Sequence, residues 1–86
     1  MSSGYDFSLS AKALHALLGA SARWRRMAMA AIEQLAKDPF ADGDLKELSP
    51  EGRTYLVIVR ENIILTWWAD HSARIVHIML IEFVKD

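Results

Sequence analysis

The side chains that could bind an anion or transfer a proton lie mainly in the second half of the chain. They are Lys46, Glu47, Arg53, Arg60, His71, Arg74 and His77. Arginine and lysine can neutralise a phosphate or a carboxylate, and histidine exchanges a proton near neutral pH. His77 follows Arg74 by three residues in a strand-like run, so these two side chains are expected on opposite faces of a sheet. No spacing within this set defines a site by itself.

Metal and thiol chemistry are not indicated by the sequence. The chain has no cysteine, which excludes disulfides and thiolate zinc sites. His15 has no second candidate ligand at helical spacing, so it is interpreted as a core or surface histidine. We therefore expect neither a metal nor another cofactor.

The overall composition predicts a single small domain. The 86 residues have a hydrophobic fraction of 52%, which favours one domain over residues 1–86. The net charge of −1 argues against binding that depends on broad neutralisation of phosphates. No apolar run approaches the ~20 residues that cross a bilayer, and the N-terminus lacks a signal-peptide pattern. We expect a cytoplasmic protein that does not associate with membranes.

Three apolar runs dominate residues 53–84, which read RTYLVIVRENIILTWWADHSARIVHIMLIEFV. The runs are rich in Val, Ile, Tyr and Trp, and the breaks between them, at residues 60–62 and 70–73, are short. Parallel neighbours would need a long crossover connection, so the pattern predicts a three-stranded antiparallel meander.

Both faces of this meander are predicted to be apolar. In the middle run one face holds Ile63, Leu65 and Trp67, and the other holds Ile64, Thr66 and Trp68. In the last run, strict alternation predicts two opposite faces. One holds Ile75, Met79, Ile81 and Phe83, and the other holds Val76, Ile78, Leu80 and Val84. A small sheet usually leaves one face to water, so we expect helices on one face and a partner on the other.

The N-terminal segment predicts a short strand followed by a helix. Tyr5, Phe7 and Leu9 alternate with polar residues, which is typical of a strand at a sheet edge. Ser10 is a candidate N-cap for a helix over residues 11–18.

A second, longer helix is predicted over residues 22–37. Ser21 is its candidate N-cap, and Asp38-Pro39 ends it because the residue before proline avoids the helical region. The short connection makes the two helices an antiparallel hairpin that lies across the sheet. The predicted fold class is therefore α+β, with a short N-terminal strand, an antiparallel helical hairpin and a three-stranded antiparallel meander.

Four residues are the predicted contacts to a partner. Arg23 and Arg26 lie at the start of the second helix, where positive charge opposes the helix dipole; they form either a solvated basic end or a contact to a phosphate or acidic partner. Trp67 and Trp68 are adjacent, so at most one packs beneath the helices and the other is exposed or covered by a partner. Packing is favoured over nucleobase stacking because no Lys or Arg is interleaved with them.

Three segments carry a resemblance to a known family. They are IEQLAKDPFADGDLKEL at residues 32–48, GRTYLVIV at residues 52–59 and ILTWWADHSARIVHIMLIEF at residues 64–83. They follow a predicted strand and two predicted helices. Segments of this kind in this order resemble the RelE/ParE superfamily of toxins from type II toxin-antitoxin modules, also called the plasmid stabilisation family. The resemblance covers nearly the whole chain.

The resemblance implies a compact toxin that its cognate antitoxin wraps with an extended or helical segment. RelE-like members cut mRNA on the ribosome, and ParE-like members poison DNA gyrase. Members that cut mRNA carry Arg or Lys on the central strands and usually Arg, His or Tyr near the C-terminus. In this sequence Ile63 stands at the central-strand position, and residues 82–86 contain no Arg, His or Tyr.

An mRNA endonuclease activity would need particular groups. Cleavage through the 2′-hydroxyl requires a base at that hydroxyl, cations at the phosphate and an acid at the leaving oxygen. Arg53, Arg60 and His71 are the catalytic candidates. The alternative is that the arginines are strand-edge charges and the histidine is structural.

Two functions from different classes follow from this sequence. The first is the toxin of a type II toxin-antitoxin system, neutralised by its antitoxin and inhibiting growth through DNA gyrase or through translation at the ribosome. The second is a non-toxic or degenerate family member that acts as a protein-interaction module, or as a homo-oligomer whose second sheet face is closed by its own copy.

Overall fold

The computed structural model describes residues 4–84 and contains two helices and five strands. In chain order they are β1 (Asp6–Leu9), α1 (Ala11–Leu18), α2 (Ala22–Lys37), β2 (Leu45–Leu48), β3 (Thr54–Arg60), β4 (Ile63–Asp70) and β5 (Ile75–Phe83). The strands form one sheet in the order β1-β5-β4-β3-β2. β1 runs parallel to β5, and the other neighbours are antiparallel. The α+β class is confirmed, and the predicted meander forms the centre of a mixed sheet.

Both predicted helices are confirmed with the same bounds, because local capping determines where they begin. Ser10 Oγ accepts a hydrogen bond from the Ala13 amide at 3.1 Å, and Ser21 Oγ accepts one from the Trp24 amide at 3.3 Å. Ser10 also links the first helix to the sheet, since its hydroxyl donates to the carbonyl of Met79 at 2.6 Å. The N-cap of α1 is therefore fixed against β5.

The sheet contains two pairings that the prediction of a simple three-stranded meander lacked. β1 occupies an edge, as expected, but pairs in parallel with β5, so that Ser8 lies beside His77. β2 lies in the segment interpreted as an acidic linker and pairs with β3. Its sequence, LKEL, does not alternate between apolar and polar residues, and all four residues are exposed, so no burial pattern marks it as a strand.

A β-bulge changes which residues of β5 face the helices. The register shifts between Thr66 and Trp67, so that Thr66 pairs with Leu80 while Trp67 pairs with Ile78. The unpaired residue between them, Met79, interrupts the alternation. Ile78 and Ile81 are consequently both buried on the helix-covered face. The strict alternation predicted for this run, which separated these two residues, is wrong.

The helices cover one face of the sheet, and the hydrophobic core lies between the helices and that face. Trp67 and Leu65 from β4 are fully buried there together with Ile32 from α2 and Val76 from β5. The segment after α2 closes one side of this core at Gly43, which has φ +73° and lies against the Trp67 ring. No helix among residues 4–84 is long and apolar enough to cross a membrane.

The second face, called here the open face, has no element of residues 4–84 packed over it and is more polar than expected. It carries Ser8, Arg53, Thr66, Trp68 and His77 among apolar residues. Of the apolar side chains that β3, β4 and β5 present on it, only Val59 is more than a third exposed, at 45%. Most of the apolar side chains predicted for this face are therefore at least partly buried within the chain itself.

Candidate functional site

Four side chains form a continuous row across the open face. The guanidinium carbon of Arg53 lies 3.8 Å from the centroid of the Trp68 ring. The Trp68 ring stacks on the imidazole of His77 at 4.4 Å between centroids, with 21° between the planes. His77 Nδ1 hydrogen-bonds with Ser8 Oγ at 2.7 Å. We call Arg53, Trp68, His77 and Ser8 the open-face row.

Strand register places these side chains side by side. Trp68 is directly opposite His77 in the antiparallel pair, and Ser8 is beside His77 in the parallel pair. Arg53 enters from the loop before β3, where its backbone is held by Ser49. The Arg53 amide donates to Ser49 Oγ at 3.0 Å, and its carbonyl accepts from the Ser49 amide at 2.7 Å. The row therefore depends on three strands and one fixed turn.

A cleft of about 460 Å³ opens where β4 ends, beside the open-face row. Its walls carry three basic side chains, Lys46, Arg53 and His71, and one carboxylate, Asp42. The rings of Phe40 and Trp68 also line it. A chain with a net charge of −1 thus concentrates basic and aromatic groups at one place.

The far wall of the cleft is an aromatic cluster around His71. The Phe40 ring stacks on the His71 imidazole at 4.7 Å, with 5° between the planes. The Tyr5 hydroxyl hydrogen-bonds with His71 Nδ1 at 3.0 Å, and the Tyr5 ring meets Phe40 edge-on at 6.1 Å. Residues from the N-terminus, the segment after α2 and the β4–β5 turn therefore meet here.

The structure brings two of the three catalytic candidates together. Arg53 and His71 line the same cleft. Arg60 lies at the other end of β3, where it forms an exposed ion pair with Asp44 at 3.3 Å. It borders a separate groove of about 660 Å³ between α2 and residues 41–44. Arg60 therefore belongs to a different surface from Arg53 and His71.

Two positions, which the sequence resemblance aligns with functional groups of mRNA-cutting toxins, hold other residues here. Ile63 is 2% exposed and lies at the opposite end of β4 from the cleft. Near the C-terminus, Glu82 is exposed and the Phe83 ring packs edge-on against Trp24 at 5.5 Å. Lys85 and Asp86 lie outside the described residues.

The four residues predicted to contact a partner differ in how much of each side chain is exposed. Trp67 has no exposed surface, so it contributes to the core of this chain and presents nothing to a partner. Trp68 is half-buried on the open face. Arg23 and Arg26 are exposed on α2. Their neighbour Arg25 instead caps the end of α1, donating to the carbonyls of Leu17 at 3.1 Å and Ala20 at 3.0 Å.

Sequence reasoning did not select Phe40, Tyr5 or Ser8 as site residues. Ser8 had one signal, since its alternation with Phe7 and Leu9 places it on the polar side of an edge strand. Phe40 and Tyr5 had none, because their contacts with His71 join positions far apart in the chain. Among residues 4–84, no three His, Asp or Glu side chains group together as metal ligands would.

Comparison with known proteins finds solved structures that share this fold. No protein-family model matches the sequence, and no curated protein matches it. A chain of the RelBE2 toxin-antitoxin complex from Mycobacterium tuberculosis matches with a TM-score of 0.76 and 18% identity, covering 93% of this chain and 98% of that one. The isolated E. coli RelE toxin matches with a TM-score of 0.74 and 12% identity, covering 95% of this chain and 86% of that one.

A third solved structure agrees with these two. A chain of the intact E. coli RelBE toxin-antitoxin complex matches with a TM-score of 0.70 and 14% identity, covering 95% of this chain and 99% of that one. Structural similarity at such low sequence identity establishes the fold but not the activity. The resemblance noted in the sequence is thereby confirmed at the level of architecture: the chain has the fold of the RelE toxins.

Proposed function

We propose that this chain is the toxin of a type II toxin-antitoxin module, which a cognate antitoxin neutralises and which inhibits translation by binding RNA at the ribosome. The observation that carries the proposal is the match to a chain of the RelBE2 complex, with a TM-score of 0.76 over 93% of this chain. The same match spans 98% of the other chain, so no large part of that fold is missing here.

The cleft favours RNA as the target. Lys46 and Arg53 supply positive charge that can bind a phosphate. A histidine such as His71 can transfer a proton or, in its protonated form, contribute further positive charge. RNA recognition typically combines such charge with exposed aromatic side chains, and the cleft offers both. No comparable feature of the described residues favours DNA gyrase over RNA.

We expect the chain to bind RNA but to cleave it slowly. His71 and Asp42 are the cleft groups suited to proton transfer. The central-strand position that carries a cation in mRNA-cutting toxins is Ile63 here, which is buried at the opposite end of β4, so this chain lacks that cation and its cleft is a different surface from that position. A cleavage site needs cations at the phosphate as the charge develops there, so loss of one lowers the rate. We therefore propose occlusion of the ribosomal mRNA site, with inefficient cleavage.

Growth assays test the proposal. Expression of the chain alone should slow bacterial growth, and co-expression of the protein encoded next to it should restore growth. Normal growth at verified high levels of folded protein would contradict the toxin assignment and favour a non-toxic interaction module.

Two further assays identify the target. Translation in a cell extract should fall when purified chain is added, while primer extension on cellular mRNAs shows few new cleavage ends. Strong cleavage that Arg53→Ala or His71→Ala abolishes would replace occlusion with catalysis. Stabilised DNA breaks in a gyrase supercoiling assay, with translation unaffected, would contradict the RNA target.

A further inference from the structure

Phe40 is an exposed aromatic ring that is nevertheless held in a fixed orientation. It is 72% exposed, yet its ring lies flat on His71 at 4.7 Å and meets Tyr5 edge-on at 6.1 Å. It directly follows Pro39, whose ring restricts the backbone and which is itself buried. A single exposed apolar side chain is unremarkable on a protein surface, but one braced by two other rings is preorganised.

Phe40 is also the cleft ring with a face available to a ligand. Trp68 lies between Arg53, which comes from the β3 side, and His77, which comes from the β5 side. Both faces of the indole are therefore covered within the chain. One face of Phe40 is covered by His71, while its high exposure leaves the other face open at the cleft.

The charge around the cleft fits a nucleotide. Lys46 and Arg53 line the cleft with Phe40, so a ligand stacked on the ring would have cations within the same cavity. In the sequence, no Lys or Arg is interleaved with the tryptophans, and this argued against a role of the tryptophans in base stacking. The fold supplies those cations from β2 and from the loop before β3.

We propose that Phe40 is a stacking platform for one unpaired nucleobase of bound RNA, with Lys46 and Arg53 holding the adjoining phosphate. This inference rests on the proposed function, because it names how the cleft holds RNA. The base, Phe40 and His71 would form one continuous stack, and Tyr5 holds His71 in place through its hydroxyl.

The test is the affinity of the purified chain for a fluorescently labelled single-stranded oligoadenylate, measured by anisotropy. Stacking of one base supports an affinity change of about 10-fold, so Phe40→Ala should weaken binding by about that factor while Phe40→Trp retains it. Phe40→Leu keeps an apolar side chain but removes the flat ring, and it should weaken binding as the alanine does. Leu48→Ala is the matched control, since Leu48 is 75% exposed and does not line the cleft.

A second probe examines the base directly. An oligonucleotide with abasic positions should bind the unmodified chain more weakly than oligoadenylate, and the difference should shrink in Phe40→Ala. Thermal melting of each variant confirms that the chain is folded.

The outcomes separate the two proposals. If Phe40→Ala and Phe40→Leu bind RNA as the unmodified chain does while Arg53→Ala binds weakly, the platform is wrong and RNA binding stands. If the unmodified chain does not bind RNA, the proposed RNA target fails and the platform fails with it. If Phe40→Ala keeps its affinity for RNA but loses affinity for the antitoxin, the ring contacts a protein partner. That result also overturns the inference.

Discussion

The guanidinium of Arg53 lies 3.8 Å above the ring of Trp68, and the opposite face of that ring is covered by His77 at 4.4 Å. A cation over an indole is stabilised by roughly 0.5–1 kcal/mol at an exposed site and by about 2 kcal/mol when water is excluded. The stack therefore restrains a long, flexible side chain at the edge of the cleft. The phosphate of the proposed RNA ligand would therefore meet an Arg53 side chain that is already restrained.

Arg53→Ala should reduce growth inhibition by the chain, whereas Arg60→Ala should leave it nearly unchanged. The two arginines lie near opposite ends of β3, and only Arg53 lines the cleft. Arg60 forms an exposed ion pair, which contributes at most about 1 kcal/mol to stability. Growth curves at matched expression levels measure the effect.

Arg53→Lys refines this comparison. Lysine keeps the charge but lacks the planar group that stacks on the indole, so it should restore only part of the activity. Equal loss of activity in the Arg53 and Arg60 variants would show that the cleft is not the functional surface.

Gly43→Ala should destabilise the fold by about 3 kcal/mol. A Cβ at Gly43 would lie 2.9 Å from Cη2 of Trp67 and 2.9 Å from the carbonyl oxygen of Val57, at a backbone φ of +73°. Gly52→Ala is the matched control, because its φ is +84° but its Cβ would meet nothing within 4 Å. It should cost only the backbone strain, about 1 kcal/mol. Urea unfolding of both variants would test this, and equal losses would contradict the close approach to Trp67.

Ser10→Ala should cost more stability than Ser21→Ala, although both serines cap helices. Ser21 Oγ accepts a single 3.3 Å hydrogen bond at an exposed position, for which we expect a loss of about 0.5 kcal/mol. Ser10 Oγ accepts from the Ala13 amide and also donates to the Met79 carbonyl at 2.6 Å, so its removal should cost about 2 kcal/mol. Thermal unfolding compares the two, and equal shifts would mean that the contact to Met79 contributes nothing.

The isolated chain should gain thermal stability when the proposed antitoxin binds, because a partner that binds only the folded state stabilises it by mass action. The edge strand β2 exposes Leu45 and Leu48, at 60% and 75%, and Val59 is exposed on the open face nearby. These side chains leave the chain prone to self-association when it is alone. Sedimentation with and without the protein encoded next to it would show this. A monomer at high concentration that the partner does not alter would contradict the prediction.

The sequence by itself determined the elements that depend on neighbouring residues. Ser10 and Ser21 begin both helices at the predicted positions, and the two short breaks made the central strands antiparallel. Alternation along β4 separated Trp67 from Trp68, because adjacent strand residues face opposite ways. The resemblance to RelE/ParE toxins, carried by segments along most of the chain, anticipated the observed architecture.

The tertiary structure decided everything that joins distant positions. The parallel pairing of β1 with β5, the strand status of residues 45–48 and the bulge at Met79 leave no periodic signal in the local sequence. Phe40 and His71 are separated by three strands and their connections, yet their rings stack. Helix caps and hairpins are set by interactions within a few residues, whereas the cleft forms only when chain closure brings its walls together.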